Sequence, residues 1–92
     1  MHKKKIRFSL SAKERELILK HGYPFDEFEA ELKSAAGNAD SVIFELEPFY
    51  FEHLIGEVVR SANHAKSARL EAELSDLFEY LEVEARDHGQ IA

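Results

Sequence analysis

Two short segments that alternate between apolar and polar residues limit the folds that this chain can adopt. The first spans residues 5–11 and the second spans residues 41–47. Their apolar positions are Ile6, Phe8, Leu10, Val42, Phe44 and Leu46. An apolar side chain at every second position is typical of a strand with one buried face. Since two strands alone make a marginal sheet, helices are expected to cover one face of it.

The sequence between the two predicted strands contains two helix patterns. Ser11 and Glu14 have the spacing of a capping box, in which each side chain accepts the backbone N–H of the other residue. The first helix is predicted to end near His21, with Gly22 as its left-handed closing residue. A second helix is predicted to follow, and its apolar face is formed by Phe25, Phe28, Leu32 and Ala35.

Two further helices are predicted after the second strand. Pro48 ends that strand and opens a helix whose apolar stripe runs from Phe51 to Ala62. The next stripe is formed by Leu70, Leu74, Leu77 and Leu81. It lies about 100° from the first stripe on an ideal helical wheel, so a break at residues 63–67 would let both face one core. One long helix from residue 57 to residue 88 is the alternative, since this stretch contains no Gly or Pro. The break predicts a C-terminal αα-hairpin.

Together these patterns predict a single α+β domain over residues 1–92 that is mostly helical. The predicted element order is β-α-α-β-α-α, with a small two-stranded sheet and the C-terminal αα-hairpin. The pairing of the strands can be parallel or antiparallel, because two helices lie between them in the sequence. A sheet this small favours a homodimer in which strand pairs from two chains join.

The composition excludes several kinds of functional site. The chain has no Cys, which excludes disulfides, thiolate zinc sites and a thiol nucleophile. Its glycines form neither a P-loop nor a dinucleotide-binding loop, and no Gly-x-Ser-x-Gly motif occurs. His53 and Glu57 share a helix face but supply too few ligands for zinc. We therefore expect no catalysis, no cofactor, no metal and no membrane segment, and we expect a cytoplasmic location.

Charge is divided unevenly along the chain. Residues 1–21 carry seven basic and two acidic residues, a net charge of +5. Residues 22–92 carry five basic and sixteen acidic residues, a net charge of −11. Such a chain can contact a polyanion at one end and a basic partner at the other, or its basic segment can pair with its own acidic surface.

The aromatic residues suggest a partner-binding surface. Phe49, Tyr50 and Phe51 are consecutive, so one helix face cannot bury all three. Extra apolar surface beside a core stripe is typical of a partner interface, with a wide core stripe as the alternative. The main hypothesis is therefore a small, non-enzymatic protein-interaction or regulatory module. Its predicted contact residues are Phe49, Tyr50, Tyr80, Val83, Glu45 and Glu47.

The basic front of the chain leads to a second hypothesis. Its polar positions are Lys3, Lys5, Arg7 and Ser9. A strand with outward basic residues, a short helix, a glycine turn and a second helix resembles the front of ribbon-helix-helix DNA-binding proteins over residues 3–36. The resemblance implies an antitoxin-like regulator in which two strands pair and these four residues contact DNA. Asp26 and Glu27 depart from that pattern, because carboxylates at the start of the second helix repel phosphate.

Overall fold

The computed structural model describes residues 5–87, and its elements follow the predicted order. They are β1 (Ile6–Leu10), α1 (Ala12–His21), α2 (Asp26–Ser34), β2 (Val42–Leu46), α3 (Pro48–Asn63) and α4 (Ala68–Asp87). The predicted α+β class, the two-stranded sheet and the C-terminal αα-hairpin are confirmed. Lys3, a predicted DNA contact, lies outside the described residues.

The two strands pair antiparallel, which settles the direction that the sequence left open. Ile6 lies opposite Leu46, and Leu10 lies opposite Val42. Along β1 the burial alternates as predicted, with the apolar side chains inside and the polar ones outside. The ring of Phe8 packs against Phe28 and Phe51, with ring centroids 6.3 and 5.0 Å apart. This aromatic contact joins the inner face of the sheet to α2 and α3.

The other half of the core lies between α3 and α4. Its buried side chains are Phe51, Leu54, Val58, Ala62, Leu74, Leu77, Leu81 and Ala85. The predicted break is present, and the Ser67 hydroxyl accepts the N–H of Leu70 at 3.1 Å near the start of α4. No helix within residues 5–87 combines the length and apolar character that a bilayer crossing needs.

Helix α1 begins and ends at the predicted residues, but the conformation that closes it differs from the prediction. The N–H of Ser11 donates to Glu14 Oε1 at 2.7 Å, and the N–H of Glu14 donates to Ser11 Oγ at 3.2 Å. The predicted left-handed conformation of Gly22 is wrong, because its φ is −97° and the positive φ of 46° belongs to Tyr23. Glycine still suits position 22, since a Cβ there would make a tight contact of 3.0 Å with the carbonyl oxygen of Ile18.

Arg15 links the end of β1 to the loop that precedes β2. Its side chain is only 3% exposed, although the sequence places it among the basic residues of the front segment. Its Nη1 donates to the carbonyl oxygens of Leu10 at 2.9 Å and Asp40 at 3.0 Å, and its Nη2 donates to that of Asn38. The guanidinium therefore binds three backbone carbonyls and holds the end of β1 and the loop before β2 together from inside the fold.

Candidate partner-binding surface

Four rings lie together near the starts of α2 and α3, and we call this group the aromatic corner: Phe25, Phe49, Tyr50 and His53. The ring centroids of Phe25 and Tyr50 are 4.6 Å apart, and those of Phe49 and Tyr50 are 5.4 Å apart. Phe49 is 70% exposed, the largest exposed fraction among the large apolar residues. Because Pro48 starts α3 and Phe51 enters the core, the two preceding aromatics turn outward. The corner thus places two of the predicted contact residues side by side.

Phe25 belongs to the corner, although the sequence pattern assigns it to the apolar face of the second helix. It is the N-cap residue of α2, with extended backbone, and therefore lies outside the helical period. Its ring also lies 4.8 Å from that of His53. The proline at position 24 and the possible helix cap Asp26 are the sequence signals that the helix starts later than Phe25.

A cleft of about 530 Å³ opens beside the aromatic corner. It is lined by Pro24, Phe25, Asp26, Glu27, Phe28, Leu46 and Tyr50. An adjoining cleft shares Glu27, Phe28, Leu46 and Tyr50 with it and adds Lys5, Glu31, Glu45 and Glu47. The structure therefore brings the predicted contacts Glu45 and Glu47 into one cleft with Tyr50, and it places Asp26 and Glu27 in the cleft that Phe25 and Tyr50 line.

Tyr80 and Val83 lie on α4, and neither lines the clefts at the aromatic corner. The Tyr80 hydroxyl donates to the carbonyl oxygen of Ser9 at 2.5 Å and accepts the N–H of the same residue at 3.2 Å. Its ring packs against the hydrophobic core, whereas Val83 is exposed. The hydroxyl of Tyr80 thus binds the outer edge of β1 within the chain.

The open edge of the sheet belongs to β2. Since the N–H and C=O of Ser9 face Tyr80, its pairing with Ile43 is of the non-hydrogen-bonded kind. The backbone groups of Ile43, and of Glu45 two residues on, therefore point away from β1. Within residues 5–87 no third element donates to them or accepts from them. Ile43 is also 56% exposed. The alternating pattern of residues 41–47 places it on the outward face but indicates no role for it.

The residues predicted to contact DNA lie on the outer face of β1 where they are described. Lys5, Arg7 and Ser9 are exposed, but Glu45 lies directly opposite Arg7 on the same face. In the ribbon-helix-helix arrangement the strands of two chains pair, whereas here β1 pairs with β2 and Tyr80 covers its other edge at Ser9. DNA contact stays a prediction for which the strand pairing gives no support.

Titratable groups elsewhere form ion pairs on the surface. His53 Nε2 lies 3.9 Å from Glu57 Oε2 on the solvent face of α3, and residues 5–87 contain no cluster of three or more potential metal ligands. Between α1 and α4, Lys13 Nζ donates to Glu73 Oε2 at 2.8 Å. This hydrogen bond, with a smaller contribution from Arg69, holds the pKa of Glu73 below its usual value.

Comparison with known proteins adds no relative, since no protein-family model, no curated protein and no solved structure matches the chain. The function is therefore argued from the geometry and charge of this surface. Two features of it point to a ligand: exposed rings beside a cleft, and the carboxylates around them.

Proposed function

We propose that this protein is a small, non-enzymatic interaction module that binds a segment of another protein at its aromatic corner. The observation that supports the proposal most is the contact of the Tyr50 ring with both Phe25 and Phe49, beside an exposed cleft that Phe25 and Tyr50 line. Isolated exposed apolar residues are common, but a cluster of rings in edge-to-face contact beside a cavity is typical of an interaction site. Tyr and Phe are enriched at protein interfaces, and Tyr is among the residues that contribute most to binding free energy.

The carboxylates around the corner support a basic partner. Glu27, Glu31, Glu45 and Glu47 line the adjoining cleft, where Lys5 is the opposing charge. Complementary charge increases the rate at which a partner associates and excludes acidic competitors. The bound segment is therefore expected to combine lysine or arginine with an aromatic or large aliphatic residue, which enters the cleft.

The wider setting of the proposal follows from the sequence. We place the protein in the cytoplasm in a regulatory role that depends on binding alone. A homodimer joined through strands stays a prediction, and β2 would have to supply the edge for it because Tyr80 covers β1 at Ser9.

A random-peptide display library, selected on the immobilised full chain, tests this function. We expect wild-type protein to enrich basic peptides that contain an aromatic residue. The double variant Phe49→Ser/Tyr50→Ser should bind an enriched peptide at least tenfold more weakly, a loss of about 1.4 kcal/mol or more.

Val83→Ser is the matched control, because it removes a similarly exposed apolar side chain from α4 rather than from the corner. Circular dichroism melts should be nearly unchanged for both variants. Equal peptide binding by wild type and the double variant would contradict the proposal. A large loss of stability in the double variant would show that these rings belong to the core.

Contact with DNA through Lys3, Lys5, Arg7 and Ser9 is the alternative prediction. Fluorescence anisotropy with a labelled mixed-sequence duplex at low salt tests it, using wild type and Lys5→Ala/Arg7→Ala. Binding that weakens steeply with salt and is lost in the variant would favour a DNA-binding regulator over the interaction module.

A further inference from the structure

The open edge of β2 continues into the aromatic corner. A groove beside this edge is lined by Ala35, Val42 and Ile43, among others, and it shares Glu31 with the acidic cleft. The acidic cleft in turn shares Tyr50 with the cleft at the corner. The three clefts therefore adjoin one another between α2 and β2, with the outward strand backbone of β2 on one side and exposed rings at one end.

We propose that β2 accepts an extended basic segment of a partner protein as an additional strand. This proposal rests on the proposed function and specifies how the partner is held. The outward N–H and C=O groups of Ile43 and Glu45 would pair with the partner backbone, as in other complexes formed by strand addition. At about 3.4 Å per residue, a five-residue strand such as β2 matches a partner segment of roughly five to seven residues.

The negative charge beside β2 favours a basic partner segment. Four carboxylates, Glu27, Glu31, Glu45 and Glu47, line the acidic cleft. The cations beside them are Lys5 in the same cleft and Arg7 opposite Glu45, which leaves an excess of negative charge. A second copy of this chain paired through β2 would bring the same carboxylates towards each other, which costs free energy. A strand with lysine or arginine at alternate positions places its positive charges against them instead.

The other edge of the sheet does not offer the same site. On β1 the Tyr80 hydroxyl occupies both backbone groups of Ser9, so an incoming strand would have to displace it. Strand addition is therefore expected at β2 rather than at β1.

The probe is a fluorescein-labelled peptide of alternating lysine and valine that ends in phenylalanine. Two analogues are N-methylated on alternate backbone nitrogens, one analogue for each set, and a third has glutamate in place of lysine. By anisotropy we expect the parent to bind, one methylated analogue to bind at least tenfold more weakly, and the other to bind like the parent. The glutamate analogue should not bind.

Ile43→Pro tests the protein side, with Ile43→Thr as the matched control. Proline removes the outward N–H at position 43 without removing a hydrogen bond to β1, whereas threonine keeps the N–H and the branched side chain. We expect at least tenfold weaker peptide binding for Ile43→Pro and a change below about twofold for Ile43→Thr. If Ile43→Pro does not fold, the methylated peptides still decide the question with wild-type protein.

Three results would overturn the proposal. In the first, wild type binds all the lysine peptides equally, Ile43→Pro binds the parent peptide as wild type does, and Phe49→Ser/Tyr50→Ser does not bind it. This result would exclude strand addition and still support the interaction module. Failure of wild type to bind the parent peptide at millimolar concentration would exclude a basic segment as the added strand. The display selection would still test the interaction module independently. A wild-type dimer in light scattering that Ile43→Pro converts to monomer would assign the edge to a second copy.

Discussion

The two edges of this small sheet are protected in different ways. Tyr80 covers the edge of β1 by bonding both backbone groups of Ser9, whereas β2 leaves those of Ile43 and Glu45 without a partner among residues 5–87. Proteins limit unwanted strand pairing either by covering an edge or by charging it. At Ser9 an incoming strand would have to displace the Tyr80 hydroxyl. At β2 the carboxylates of Glu45 and Glu47 would repel an acidic strand, and we propose that they attract a basic one.

The largest expected effect comes from truncating Phe8, a β1 residue whose ring also contacts Phe44 on β2. Phe8 contacts Phe28, Phe44 and Phe51, so Phe8→Ala should lower the free energy of unfolding by about 3–5 kcal/mol. Phe49→Ala, which truncates an exposed ring, should change it by less than about 0.5 kcal/mol. Urea unfolding followed by circular dichroism measures both. Similar losses for the two variants would contradict the assigned core.

Arg15→Met tests the end of the sheet where β1 and the loop before β2 are linked. The buried guanidinium donates to three backbone carbonyls, and its loss should destabilise the fold by about 2–3 kcal/mol in urea. Lys20→Met removes an exposed cation from the same helix and should cost less than about 0.5 kcal/mol. If Arg15→Met were as mild as this control, the three hydrogen bonds would not contribute to stability.

Tyr80→Phe removes a single oxygen atom, the hydroxyl oxygen that covers the edge of β1 at Ser9. The variant should lose about 1 kcal/mol of stability, because the hydroxyl is the group that bonds Ser9. Amide hydrogen exchange should become several-fold faster at Ser9 and stay unchanged at Ile43. Tyr23→Phe, at an exposed side chain, is the control and should change neither rate. Unchanged exchange at Ser9 would mean that Tyr80 does not protect this edge.

The smallest effect concerns the ion pair that joins α4, the helix of Tyr80, to α1. Lys13 lowers the pKa of Glu73 in the folded state, so ionised Glu73 favours folding above its unfolded pKa. That contribution is lost as the pH falls through the lowered folded-state pKa. The melting temperature of wild type should therefore slightly exceed that of Glu73→Gln near neutral pH.

This difference in melting temperature should shrink as the pH falls to about 3. High salt should also reduce it, because the pair is exposed. Glu79→Gln, at an exposed position of the same helix, controls for the loss of a negative charge. A gap between wild type and Glu73→Gln that stays constant with pH would contradict the role of the ion pair.

Much of the fold could be predicted because its signals are local. Periods of two and 3.6 residues predicted the strands and helices, and the spacing of Ser11 and Glu14 predicted the start of α1. The end of α1 at His21 also follows from the sequence, but the conformation that closes the helix does not. The positive φ is at Tyr23 rather than at Gly22, although glycine is the residue that adopts it most readily.

The candidate surface was predictable only in part. Three consecutive aromatics cannot share one helix face, so an exposed Phe49 follows from the sequence. The position of Tyr80 off the leucine seam also follows, but its bond to Ser9 joins residues 71 positions apart. Periodicity indicates which side of a helix a residue occupies, but it does not indicate which other element packs against that side. The open backbone of Ile43 requires the strand register, which no local pattern contains.

The long separation between the paired strands has a consequence for synthesis of the chain. Ile6 and Leu46 pair across forty positions, so β1 is made well before its partner exists. The α3–α4 hairpin joins neighbouring segments, but it comes later still. During that interval β1 is an apolar strand with two open edges, which is the kind of segment that self-associates. The lysines next to it in the sequence, including Lys4 and Lys5, oppose such association, since like charges keep nascent chains apart.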